Sequence, residues 1–181
     1  IERMNRRQLA ATGDAALESR IRTMETAYHM QFAAGKVFDL SGETQATRDE
    51  YGASAFGNGC LITRRLVERG VHYIHLELGG WDHHENIDKS ITSLSRQIDQ
   101  PIAAFLRDLK RRGLLDETLV VWGGEFGRTP VSESGNGRDH NHYGFTMWLA
   151  GGGVRGGMTY GATDDFGFRA VENRVSVHDL H

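Results

Sequence analysis

Asp82, His83 and His84 stand side by side in Gly79-Gly80-Trp81-Asp82-His83-His84-Glu85-Asn86, and Gly137-Arg138-Asp139-His140-Asn141-His142 brings the same residue types together again. Imidazole nitrogen and carboxylate oxygen both ligate borderline divalent cations such as zinc at about 2.0 to 2.2 Å, and ligands drawn from separate loops let a fold fix the geometry. A third polar segment, Gly123-Gly124-Glu125-Phe126-Gly127-Arg128-Thr129-Pro130, supplies a carboxylate and a guanidinium. Glu125 there suits a metal ligand or a proton-handling group, and Arg128 can fork onto a phosphate or sulfate. Each segment also has a plainer reading: solvated histidines beside an aspartate, a Glu-Arg ion pair across a turn, or a polar surface loop. Four of the nine histidines, His83, His84, His140 and His142, fall in two of these segments, and that joint clustering favours a metal site over either accident alone.

The elements that must position these segments can be read from spacing. Ile21, Met24, Tyr28 and Phe32 recur at helical intervals over Ser19 to Phe32, with Gly35 as the expected stop. Leu40 to Tyr51 is polar and turn-rich, and Leu61, Ile62, Leu66 and Val67 predict a second helix closed by Gly70. Val71 to Leu78 is short, rich in branched and aromatic residues and ends at two glycines, as a strand does. Ile91, Leu94, Ile98, Ile102, Phe105, Leu106 and Leu109 then step through a long amphipathic helix ending near Gly113, with a kink expected at Pro101. Thr118 to Trp122 and Phe145 to Ala150 are the next two strands. Strand, helix, strand predicts a βαβ unit, hence a mostly parallel sheet with helices on both faces, and such sheets carry their ligand site beyond the carboxyl ends of the strands, where the polar segments fall. His72 and His75, within the first strand, and His29, on the first helix, are read as structural.

Composition narrows the classes of function. With 39% hydrophobic and 25% charged residues over 181 positions, a single α/β domain spanning 1–181 has enough apolar material for a core. A net charge of -3 gives no basic footprint for nucleic acid, and no run approaches the roughly 18 apolar residues of a membrane-spanning helix. Cys60 is the single cysteine and lies in an apolar helical pattern, which suits a buried structural thiol. The first residue is Ile1 and the last residues stop inside an apparent element, so the chain reads as a fragment or processed piece.

The strings GGWDHHEN, LLDETLVVWGGEFGRTP, GRDHNH and LAGGGVRGGMTYGATDDFG, together with YGASAFGNGCLITRRLVERGV, occur in an order that resembles the bacterial sulfatase-like family called domain of unknown function 1501, and the resemblance covers nearly the whole chain. It implies the alkaline phosphatase and sulfatase superfamily, whose members act on phosphate and sulfate esters at divalent metal ions, and so an alkaline-phosphatase-like α/β domain of which this chain is the carboxyl-terminal part, incomplete at its amino end. Carried over by position, the family's tryptophan-aspartate-x-histidine motif falls on Trp81, Asp82 and His84, its glutamate loop on Glu125 and Arg128, and its late histidine motif on Asp139 and His140; His83 takes the variable position.

What the resemblance implies is a hydrolase of sulfate or phosphate esters holding a divalent ion, zinc, manganese or calcium, on Asp82, His84, Glu125 and His140, with Glu125 and Arg128 catalytic and Arg128 and Arg138 steadying the anion of a small-molecule or polysaccharide ester. An exported, periplasmic protein is implied in the same way. Where the superfamily has an aspartate-histidine pair this chain reads Glu125-Phe126, which removes one ligand of a two-metal site. The superfamily nucleophile sits on the first strand, which the resemblance puts upstream of Ile1, and Cys60 lacks the flanking pattern of a modified sulfatase cysteine, so none is assigned. The alternative is a non-catalytic metal- or glycan-binding domain that keeps the hydrolase fold.

Overall fold

A computed structural model describes residues 2–133 and 135–180, with the backbone alone at positions 2, 15 and 29–34. The side chains of His29 and Phe32 therefore lie outside the described residues. The chain divides into two compact units, Ile1–Glu43 and Thr44–His181.

The first unit pairs helix α1 (Glu2–Thr12) with helix α2 (Ala15–Phe38) and closes on a 3-10 turn, Leu40–Gly42. Asp14 caps α2 by accepting the Ala16 N–H at 2.8 Å, and Asn5 of α1 donates to Glu25 of α2 at 3.1 Å. One expectation changes here, and one helix is unanticipated. The α1 segment carried no helical periodicity that marked it, and α2 runs through Gly35, because a glycine stops a helix only where the backbone turns left-handed and Gly35 does not.

The second unit begins with α3 (Gln45–Tyr51), in the stretch read as turn-rich; Thr44 caps it by accepting the Thr47 N–H at 3.1 Å. Helices α4 (Ala55–Val67) and α5 (Ile87–Arg111) follow, and α3, α4 and α5 pack together around Leu61, Ala104, Phe105 and Leu109. Pro101 lies inside α5 and is buried. Both long helices end as the glycines predict: Gly70 (φ +73°) and Gly113 (φ +69°) are left-handed, and Val71 and Leu114 donate back to Leu66 and Leu109 at 3.1 and 2.9 Å. Cys60 is buried in this core, and burial pushes its thiol up to about 12, as an inert structural cysteine requires.

A charged clamp that the sequence pattern does not reveal fastens these helices. Asp108 is fully buried and faces Arg64 (3.2 Å), Arg111 (2.8 Å) and Arg112 (2.8 Å), while the Tyr51 hydroxyl donates to it at 3.0 Å. Burial alone would raise this carboxyl, but the hydrogen bonds from Arg112, Arg111 and Tyr51 outweigh it and hold the group below its ordinary value.

The expected parallel sheet does not form, and the fold is not alkaline-phosphatase-like. Among the described residues there are three two-stranded antiparallel ladders: β1 (Val120–Trp122) with β4 (Trp148–Ala150), β2 (Gly127–Arg128) with β3 (His140–Asn141), and β5 (Ala162–Thr163) with β6 (Ala170–Glu172). A short helix, α6 (Val177–Leu180), follows. Val71 to Leu78 enters no ladder; Leu76 packs against Gly59 of α4 instead, and His72 and His75 are exposed. The branched residues of that run suit a pleated surface only when another strand satisfies their backbone, so the composition did not suffice. Without that strand α5 is no crossover, and β1 pairs antiparallel with the next long strand, Trp122 stacking on Trp148 at 6.2 Å between ring centroids. No helix among the described residues is long and apolar enough to cross a membrane.

Candidate metal centre

The three polar segments meet even though no parallel sheet delivers them. The β2–β3 ladder sets Arg128 directly opposite His140, so the two side chains leave the same face of the hairpin. Gly127 beside them faces the Gly144 carbonyl so closely that a Cβ would lie 2.6 Å from that oxygen. The Asp82 segment is brought to this hairpin by backbone contacts: Arg138 N–H donates to the His83 carbonyl at 2.8 Å, and Asn86 N–H donates to Asn136 Oδ1 at 2.7 Å. Asn86 holds a left-handed conformation (φ +54°), which asparagine tolerates better than most residues, at the start of α5. Gly137 packs so tightly on His84 that any Cβ would overlap the His84 backbone.

Asp82 Oδ1 is the focus of the resulting cluster. Arg128 Nη1 lies 2.6 Å from it, His140 Nε2 2.9 Å and His84 Nε2 3.0 Å. Hydrogen bonds from His140 and then Arg128 hold the Asp82 carboxyl down to about 2, so it is an anion at any physiological pH. The His84 and His140 rings sit 5.1 Å apart, Phe126 packs against His140 in a tilted contact at 4.6 Å between centroids, and the Arg128 guanidinium lies over the Phe126 ring, 5.3 Å from its centroid. Asp139 is joined to the cluster through His84, whose Nδ1 is 3.2 Å from Asp139 Oδ1. The Glu133 N–H bond to Asp139 is the leading reason that this carboxyl also stays below its ordinary value.

The donor set fits a divalent cation. One oxygen of Asp82 and one nitrogen each of His84 and His140 all lie within 4.8 Å of one another. Tetrahedral ligands at zinc-like bond lengths stand roughly 3.5 Å apart, so shifts on the scale of a side-chain rotation would close these three on one ion. The side chains of Asp82, His84 and His140 are about half exposed (60%, 46% and 52%), which leaves the open side of such an ion to solvent and to a bulky ligand.

The remaining predicted residues sit around this group. Glu125 does not join the three; its Oε1 is 3.6 Å from Arg128 Nη2, so Arg128 links it to Asp82. The Arg138 guanidinium donates to the neighbouring Gly137 carbonyl at 2.6 Å, and its part in the site is through its backbone contact with His83. His142 makes a tilted ring contact with Tyr143, 4.0 Å between centroids, and is not one of the three converging groups. Asn141, which sequence reasoning passed over, is buried and braces the hairpin: its Nδ2 donates to the Phe168 carbonyl at 2.9 Å and its Oδ1 accepts the Tyr143 N–H at 3.1 Å. A polar residue flanked by His140 and His142 was the available signal, hidden by the histidines themselves.

No curated protein and no solved structure is matched by the chain. The model of one family, described as protein of unknown function (DUF1501), matches residues 1–181. With that match along its whole length, and with the GGWDHHEN, GEFGRTP and GRDHNH strings converging on one cluster, the chain belongs to the DUF1501 family.

Proposed function

We propose that this protein is a metal-dependent hydrolase of sulfate or phosphate esters, related in its site motifs to the sulfatases, with Asp82, His84 and His140 as the ion's protein ligands. The observation that carries the reading is the meeting of one carboxylate and two imidazoles within 4.8 Å, from two segments 58 residues apart at Asp82 and His140. A carboxylate with two imidazoles suits zinc or manganese better than calcium, which prefers oxygen ligands throughout. When bound, such an ion supplies Lewis-acid polarisation of the ester, a contribution of several kcal/mol.

The chain's own residues do the rest. Arg128 lies 2.6 Å from Asp82 and is 23% exposed, so its guanidinium stands at the rim of the cluster and can turn a pair of N–H donors onto a sulfate or phosphate oxygen. Phe126 packs beside both His140 and Arg128 and limits how far either can swing. Glu125, 66% exposed and 3.6 Å from the Arg128 guanidinium, offers a carboxylate that steadies Arg128 at the rim and can accept a proton from an entering water.

A second reading, a domain that binds an ion or a glycan without turning anything over, is favoured by the same Phe126: an apolar ring stands against His140 where another ligand would be needed for a second ion. One experiment separates the two. Metal content of the purified full-length protein is measured, followed by aryl sulfate and aryl phosphate turnover with and without a chelator. Turnover abolished by the chelator and restored by zinc or manganese supports the hydrolase; stoichiometric metal without turnover supports the binding domain; neither metal nor turnover removes both.

A further inference from the structure

We propose that Asp139 is a positioning residue for this site, holding the His84 ring so that Nδ1 carries the proton and Nε2 is the nitrogen offered beside Asp82 and His140. The inference rests on the metal-ion reading above and assigns a role to a residue that the ligand set leaves out.

The geometry separates Asp139 from the ligands. Its Oδ1 is 3.2 Å from His84 Nδ1, on the opposite side of the imidazole from Nε2, and it does not share the 4.8 Å cluster of Asp82, His84 and His140. A neutral imidazole has one N–H and one lone pair, and a fixed acceptor at Nδ1 decides which nitrogen keeps the lone pair. Asp139 is such an acceptor because the chain immobilises it at every polar atom. Its Oδ2 accepts the Glu133 N–H at 2.8 Å, its own N–H donates to Thr129 Oγ1 at 3.0 Å, and its carbonyl accepts the Thr129 N–H at 2.9 Å. Its side chain is 27% exposed against 46% for His84, so the acceptor is the more enclosed of the two partners.

Both partners are also fixed relative to each other. Gly137 abuts the His84 backbone and Arg138 N–H bonds the His83 carbonyl, which locks the segment bearing Asp139 against the segment bearing His84. The adjacent pair Asp139-His140 thereby divides the labour: His140 reaches Asp82 directly, whereas Asp139 acts through the other histidine.

The test uses the full-length protein and zinc, with affinity read by competition against a chromophoric chelator for wild type, D139A, H84A and the double variant. D139A is expected to weaken zinc binding about 10- to 100-fold, the range for losing a carboxylate behind a ligating histidine, and to cause no further loss once His84 is already alanine. A D139A protein with wild-type affinity, or a D139A loss that persists in full without His84, overturns the assignment while leaving the metal site standing. A wild-type protein that takes up no zinc overturns the metal-ion reading and the assignment together. Because D139A also removes the Glu133 contact, a variant-free measurement accompanies it: nitrogen-proton correlation spectra of the zinc-loaded wild type should place the His84 proton on Nδ1, and a proton on Nε2 overturns the proposal.

Discussion

His140 Nε2 lies 2.9 Å from Asp82 Oδ1 across 58 residues of sequence, and Arg128 reaches the same oxygen at 2.6 Å from the position opposite His140 on a two-stranded ladder. One carboxylate oxygen thus gathers groups from all three polar segments. A cation entering the cluster takes over a focus that is already assembled.

The proposed ligand set can be tested residue by residue. D82A and H140A should each weaken zinc binding by more than the 10- to 100-fold typical of an outer residue, since each removes a direct donor. E125Q should bind zinc as wild type does, because Glu125 contacts Arg128 and stands outside the three converging groups. Chelator competition measures all three; an E125Q loss as large as that of D82A would add Glu125 to the ligands.

Arg128 should separate ion from anion. Its guanidinium competes with a metal ion for Asp82 Oδ1, so R128A should keep or tighten zinc affinity. The same change removes the charge-assisted donors aimed at an ester, and inhibition by inorganic sulfate or phosphate should weaken about 10- to 100-fold, in line with hydrogen bonds to charged groups. Inhibition constants with and without the substitution provide the check.

Gly137 carries the junction between two segments. In G137A the new methyl group must displace the His84 backbone, breaking the Arg138 to His83 hydrogen bond and spreading the cluster. Zinc affinity should fall while the far-UV dichroism, dominated by helices remote from the junction, stays close to wild type. Unchanged zinc affinity would mean that the junction does not hold the site together.

The buried clamp predicts the acid limit of the helical core. Asp108 has its carboxyl below the ordinary value in the folded chain, so its stabilisation is fully present above the unfolded value of about 3.9 and is lost as pH falls through the lower folded value. Stability measured in urea should therefore decline below about pH 4, and D108N should flatten that decline. D108A, which removes the buried anion shared by the Tyr51 hydroxyl and three arginines and leaves those arginines to Glu68 and Glu50, should cost about 3 to 5 kcal/mol at neutral pH, with any zinc site unaffected at temperatures where the chain is folded.

The sequence by itself determined the parts whose physics is local. Helical spacing marked α4 and α5, Gly70 and Gly113 marked where they end, and the apolar setting of Cys60 marked it as buried. Aspartate and histidine side by side in two segments marked candidate ligands, because ligand type is a property of single residues. What only tertiary structure decided is which strands have partners and which atoms face each other. Val71–Leu78 has the composition of a strand but finds no neighbour, and Val120–Trp122 pairs with a strand running the other way, since ladder hydrogen bonds depend on residues distant in the chain. By the same reasoning Asp82, His84 and His140 converge through a short antiparallel hairpin and the Gly137 junction, Glu125 stays outside with Arg128, and the clamp on Asp108 adds Arg64 and Tyr51 from two other helices to the Arg111 and Arg112 that follow it by three and four residues.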